Sequence, residues 1–181
     1  MSMTSDEVLE KIAAGESVEG ENLRGINLAD AELANANLSG CDLTNADLSG
    51  ADLTGAVFRG ADISRALFIG ANMTDVDLSE VKARVTDFTE ATLENAFLVE
   101  GAFGMANFNL AELSGADLTD ADFTGADLTE ANLTGATLSG ADFSNANLFS
   151  ADLTDAEASD TVFTDANLED VIGFEGSDDD Y

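Results

Sequence analysis

The sequence predicts an all-β solenoid in which the chain turns a corner every five residues, and three observations predict it. An apolar residue recurs at every fifth position from residue 21 to 170, a span of 150 residues or 30 units with no break in phase. A small residue, usually Ala, stands two places before nearly every one of them. The three remaining positions are filled mainly by Asp, Asn, Ser, Thr and Gly, as in Ala51-Asp52-Leu53-Thr54-Gly55. A strict period of five walks around an α-helix, and a period of two cannot keep every fifth side chain on one face of a strand. The spacing therefore asks for one corner per unit, with one large and one small side chain inward. Four such sides close a square coil.

Three segments follow in order. Residues 1–20 form an N-terminal capping helix and a lead-in segment. The helix is expected over residues 5–14, with Thr4 or Ser5 as N-cap, Asp6 and Glu7 in the first turn and Gly15 as the stop. Its apolar face of Val8, Leu9 and Ile12 suits the open end of a repeat stack, which needs a cover. Residues 21–170 are the repeats, centred on residues such as Leu48, Phe123 and Leu128. Residues 171–181 form a C-terminal cap and a flexible acidic tail, in which Val171, Ile172 and Phe174 cover the last coil or meet a second subunit.

The motif stands literally as Ala46-Asp47-Leu48-Ser49-Gly50, Ala71-Asn72-Met73-Thr74-Asp75 and Ala126-Asp127-Leu128-Thr129-Glu130. It resembles the A-[DN]-L-x-x motif of the pentapeptide-repeat family. The resemblance implies a right-handed quadrilateral β-helix with four units per coil, so that residues 20 apart stack. At about 4.8 Å between levels, 30 units make about 7.5 coils and a rod roughly 36 Å long. Stacking then aligns Phe103, Phe123, Phe143 and Phe163 in one register and Phe68, Phe88 and Phe108 in the next. The resemblance also implies possible partners. DNA-like members bind the DNA-binding saddle of DNA gyrase or topoisomerase IV, and topoisomerase-interacting members commonly dimerise through their C-terminal ends.

Charge is the second strong signal: 37 acidic residues stand against 6 basic ones, for a formal net charge of -31. With 45% hydrophobic residues in regular positions, the chain can still offset the entropy of ordering. No apolar run reaches transmembrane length and no secretory leader is evident, so the expectation is a cytoplasmic protein without membrane contact. Stacking places Asp42, Asp62, Asp122 and Asp142 in one outward column, Asp47, Asp87 and Asp127 in another, and Asp52, Glu112 and Asp152 in a third. Two readings follow. In one, the acids keep a protein-binding scaffold soluble at high salt. In the other, they imitate duplex DNA, whose roughly 21 charges over 36 Å are of the same order as this net charge, and the protein regulates or protects a type II topoisomerase such as DNA gyrase. Where neighbouring carboxylates dominate, their pKa values should rise. Hydrogen bonds from the backbone would reverse that.

The patterns for catalysis are missing. There is no His, no Trp and no phosphate-binding Gly loop, and carboxylate pairs recur along the rod without a singular cleft. No catalytic, cofactor or metal residues are assigned, and the chain is read as non-enzymatic, with no direct nucleic-acid binding. Cys41 occupies an Ala slot and is read as a buried small residue. Arg24 and Arg59 are read as solvated charges. The outward consensus breaks in the middle, where Leu67, Ile69, Val85, Phe97, Val99, Met105 and Leu110 join Arg65, Lys82 and Arg84. These residues are the candidate contact patch for a protein partner, the protein itself being a monomer or a C-terminal end-to-end dimer.

Overall fold

The computed structural model describes residues 3–173. From Asn22 to Ile172 every bridge is parallel and joins residues 20 apart, so each coil contains four five-residue sides. We label the sides A to D by their outward columns. Side A runs Asn22, Asp42, Asp62, Lys82, Ala102, Asp122, Asp142 and Val162, and side B runs Asn27, Asp47, Leu67, Asp87, Asn107, Asp127, Asn147 and Asn167. Side C begins at Glu32 and ends at Ile172, and side D runs from Asn37 through Phe97 to Glu157.

The five-residue unit follows from its backbone donors. In the unit around Leu48, Ala46 donates back to Leu43 O and closes the preceding turn, while Asp47, Leu48 and Gly50 donate to Ile26, Leu67 and Ile69 on neighbouring coils. Ser49 has no backbone acceptor. Its N–H is taken by the Asp47 side chain at 3.0 Å. An outward Asp or Asn two residues before the donor thus completes the set, which is the physical reason for the [DN] position. Every fifth residue, from Gly15 through Asp170, has positive φ, and within the repeats it is the third residue of the turn that forms each corner.

Inside, the large and small positions are almost all buried from Leu23 to Leu153. Phe103, Phe123, Phe143 and Phe163 stack with centroids 5.0 to 5.4 Å apart, and Phe68, Phe88 and Phe108 form the neighbouring stack. The two ladders meet edge-on at Phe103 and Phe108, so the aromatic column changes sides in the middle of the rod. Local volumes compensate for this crossing. Around the small centre Ala83, the flanking small positions are enlarged to Val81 and Thr86, both buried. At Gly101 a Cβ would overlap the Phe103 ring, so this small position is held by Gly where the two ladders meet.

Helix α1 spans Ser5–Ala13 and starts with a reciprocal capping box between Thr4 and Glu7. Val8 is fully buried, while Met3, Leu9 and Ile12 pack against the same core. The Ser5 hydroxyl donates to Asn27 O at 2.6 Å, fixing α1 over the first coil. Gly15 then takes φ 72°, as expected of its stop. Cys41 is buried, and its thiol donates to Val18 O at 3.0 Å. At the far end Val171 packs on the core and Ile172 is exposed on side C; Phe174 and the acidic tail lie outside the described residues.

Candidate functional site

Nearly all of the residues in the predicted acidic columns hold the backbone. On side A, Asp42, Asp62, Asp122 and Asp142 accept the N–H groups of Thr44, Ser64, Thr124 and Ser144 at 2.8 to 3.1 Å. On side B, Asp47, Asp87 and Asp127 do the same for Ser49, Thr89 and Thr129. Asp52 and Asp152 cap Thr54 and Thr154 on side C. Glu112 instead accepts from the Asn132 amide at 2.8 Å. The [DN] alternation was the signal for this role, because Asn lacks the charge and shares only the acceptor.

These bonds decide how the acids titrate. The Thr54 hydroxyl and then its N–H hold the Asp52 carboxyl below its ordinary value, and Thr154 does the same to Asp152. For Asp42, burial pushes upward but is outweighed by Thr44 and Arg24; for Asp77, burial is likewise outweighed by Ser79 and Arg59. At these four positions hydrogen bonding therefore overturns the expected rise from carboxylate repulsion. The expectation that Arg24 and Arg59 are merely solvated also needs correction: Arg24 pairs with Asp42 at 3.2 Å, and Arg59 pairs with Asp77 at 3.0 Å and Glu80 at 3.4 Å.

The middle patch divides between two parts of the rod. Arg65, Val85 and Met105 line the corner between sides A and B, with Arg84 next to Val85 and Lys82 on side A. Leu67 continues onto side B, and Ile69 and Leu110 occupy its far corner. Val85, Met105 and Leu110 are 47%, 56% and 42% exposed. Around side D, half-exposed Phe97 and half-buried Val99 instead line a groove with Arg59, Asp77, Ser79, Glu80 and Glu100. The twenty-residue register thus brings Arg65, Val85 and Met105 together, and it separates Phe97 and Val99 from them.

Two features of the middle coils escape a reading of the repeat alone. Val85 holds φ at 61°, a left-handed conformation that is costly for a β-branched side chain. The backbone cap is also absent where the outward residue is Leu67, Lys82, Phe97 or Ala102, leaving the N–H groups of Ile69, Arg84, Val99 and Gly104 without an acceptor in the described chain. Among the described residues there is no group of acids or Cys suited to hold a metal ion, and no helix is long and apolar enough to cross a membrane.

Comparison with known proteins agrees with this construction. A family model for pentapeptide repeats matches eight copies, which together span residues 22–172. Two trypsin-treated structures of QnrB1, described as a plasmid-mediated fluoroquinolone resistance protein, superpose with TM-scores of 0.70. One is 25% identical over 87% of this chain and 83% of QnrB1, and the other 24% identical over 84% and 82%. HetL, a pentapeptide-repeat protein involved in heterocyst differentiation regulation from Nostoc sp. strain PCC 7120, is 27% identical over 97% of this chain and 99% of its own, with a TM-score of 0.48. No curated protein sequence matches significantly. A continuous five-residue register, four sides to the coil and a family match across nearly the whole rod place this chain in the pentapeptide-repeat family, as a right-handed quadrilateral β-helix.

Proposed function

We propose that the protein is a non-enzymatic, cytoplasmic scaffold that presents a rigid protein-binding surface, centred on the coils between Arg65 and Leu110. The observation that carries this reading is that six of the eight large apolar residues exposed among the described residues, Leu67, Ile69, Val85, Phe97, Met105 and Leu110, fall within one stretch of the chain. Large apolar and Arg side chains on a rigid element suit an interface core. The acid-rich remainder suits a high-salt solvent. Asn caps the same N–H groups at Asn107, Asn132 and Asn147, so the frequent choice of Asp adds charge beyond what capping requires. Unfolding temperature should therefore rise as monovalent salt goes from millimolar to molar, and a flat series would remove the salt-adaptation part.

The test of the scaffold is co-purification from extract of the source cells with wild type and with a Val85→Asp/Phe97→Asp variant of unchanged unfolding temperature. A protein recovered only by wild type supports the surface, and identical recoveries overturn it. A second reading, regulation or protection of a type II topoisomerase by DNA mimicry, is favoured by the likeness to a fluoroquinolone resistance protein together with the acidic columns. It predicts a change in DNA gyrase supercoiling or quinolone sensitivity that DNA competes away and that charge reversal at Asp122 and Asp142 removes. No effect at any salt concentration would eliminate it.

A further inference from the structure

On side A the outward column reads Asp62, Lys82, Ala102, Asp122 in successive coils. Asp62 and Asp122 accept the N–H groups of Ser64 and Thr124. Ala102 has no side chain with which to do this for Gly104. Among the described units whose outward residue leaves this N–H uncapped, Gly104 is the one donor residue that is buried. A backbone N–H left without an acceptor in a buried residue is uncommon and calls for an acceptor from outside the chain, water or a partner. The surroundings specify its charge. A Cβ on Gly104 would lie 3.8 Å from an Arg84 guanidinium nitrogen, and Arg84 is itself drawn over Met105, 3.1 Å from its sulfur. Lys82 is the coil neighbour of Ala102, and Arg65 precedes Val85 in the corner column.

In a chain of net charge -31, cations should be neutralised by their neighbours. Lys11, Arg24 and Arg59 are, each in an ion pair with a carboxylate. Arg65, Lys82 and Arg84 are the cations without such a pair among the described residues; Arg84 and Lys82 flank this slot, and Arg65 lies two coils from Met105 in the corner column. One carboxylate faces it: Asp122, whose Oδ2 would lie 3.9 Å from a Gly104 Cβ and whose Oδ1 is already engaged by Thr124. Val85, held at positive φ, and Met105 supply an exposed apolar wall alongside.

We propose that the slot at Ala102 is a docking site for a partner segment that presents an Asp or Glu side chain next to an apolar residue. The partner's carboxylate takes the place of the capping aspartate that the repeat omits here. It accepts from the Gly104 N–H and the Arg84 guanidinium, with Lys82 and Arg65 adding charge, while its apolar neighbour packs on Val85 and Met105. This rests on the scaffold reading and assigns its partner chemistry. Because the whole rod repels acidic molecules over long distances, association strengthens as salt is raised from low concentration, until the local charge contacts are themselves screened.

The test uses the full chain and two pools of fluorescein-labelled decapeptides. Members of one pool each carry three Asp or Glu and one Phe or Leu; members of the other carry Lys or Arg in place of the acids. At about 0.3 M salt, where the Debye length is several ångströms, the acidic pool should bind wild type and shift the Gly104 amide resonance. Ala102→Asp, which restores the cap within the chain, should raise the unfolding temperature and weaken that binding at least about tenfold, as should Arg84→Ala. Binding of the acidic pool that is unchanged in Ala102→Asp, or a Gly104 resonance that does not move, overturns the site. Capture of the basic pool alone at this corner also overturns it, yet leaves the scaffold reading standing. Self-association of wild type that Ala102→Asp abolishes would place a second copy in the slot and refute the partner assignment.

Discussion

The coils from Asp117 to Asp152 and those from Leu67 to Glu112 share one backbone and differ in how they finish it. In the first region the outward positions are Asp or Asn with one exception, Thr137, and each Asp or Asn caps the N–H two residues on. In the second, Leu67, Lys82, Thr92, Phe97, Ala102 and Glu112 leave that group uncapped. The aromatic ladder also changes sides there, and the small inward positions enlarge or shrink to match. A repeat can therefore abandon its surface rule over several consecutive units, provided that its inward volume and coil-to-coil bonds are kept. Surface and core are separable in this fold, and the middle coils use that freedom.

The largest expected effect lies in the part that both regions share. Phe123 stacks between Phe103 and Phe143 at 5.0 Å on each side and is fully buried. Phe123→Ala should cost about 3–5 kcal/mol in denaturant unfolding, from lost burial and the cavity left behind. Ala126→Leu should cost about 1–3 kcal/mol by overpacking the same coil. If neither exceeded about 1 kcal/mol, the inward side chains would not be what holds the coils together.

That core was legible because the signal is geometric: an unbroken period of five forces one corner per unit, whatever the partner. Leu48, Phe123 and Leu128 are all fully buried. The acidic columns were legible as columns, but sequence position does not reveal that an Asp oxygen replaces a backbone acceptor. Their charge was visible, and their hydrogen-bonding role lay in the [DN] alternation. The contact patch was half legible. The register assembles Arg65, Val85 and Met105 and equally sets Phe97 in the column of Asp77 and Asp117, a separation that a list of exceptions in chain order conceals. Nor can it show that Gly104 is buried with an unanswered N–H.

Acid titration tests the caps themselves next. Asp52 and Asp152 have carboxyls lowered by the Thr that follows, and Asp42 and Asp77 are lowered despite burial. A folded-state value below the unfolded one favours the native carboxylate. The stability these groups supply is complete above the unfolded value, about 3.9 for Asp, and is lost as pH falls through the lowered folded values. Unfolding temperature should thus drop on acidification below about pH 4. Hydrogen exchange should show the Thr44, Thr54, Ser79 and Thr154 amides losing protection as these four carboxyls protonate. A rod that became more stable throughout that range would mean that relief of repulsion outweighs the caps.

Single caps sharpen the same contrast at smaller scale. Asp127 takes both the Thr129 N–H at 3.0 Å and its hydroxyl. Asp127→Ala should cost about 1 kcal/mol, while Asp127→Asn, which keeps the acceptor, should cost less and should gain on the wild type as salt is lowered. Equal losses for both variants would assign the position to charge and not to capping. Glu112→Ala, at an outward position that caps nothing, should change stability by less than about 0.5 kcal/mol.

The smallest expected effect has the opposite sign and belongs to the middle coils. Val85 occupies a corner where φ is 61° and its side chain is 47% exposed, whereas the equivalent corner position one coil beyond Met105 is Gly125. A β-branched residue there carries backbone strain, and being half exposed it recovers little through packing. Val85→Gly should relieve that strain, part of which is offset by the greater entropy of the unfolded Gly chain, for a net gain of about 0.5–1 kcal/mol. A stability gain accompanied by weaker binding of the acidic peptide pool would identify Val85 as a residue kept for contact at a cost to the fold. A stability loss would show instead that Val85 packs productively against the corner, and the strain argument for this patch would fail.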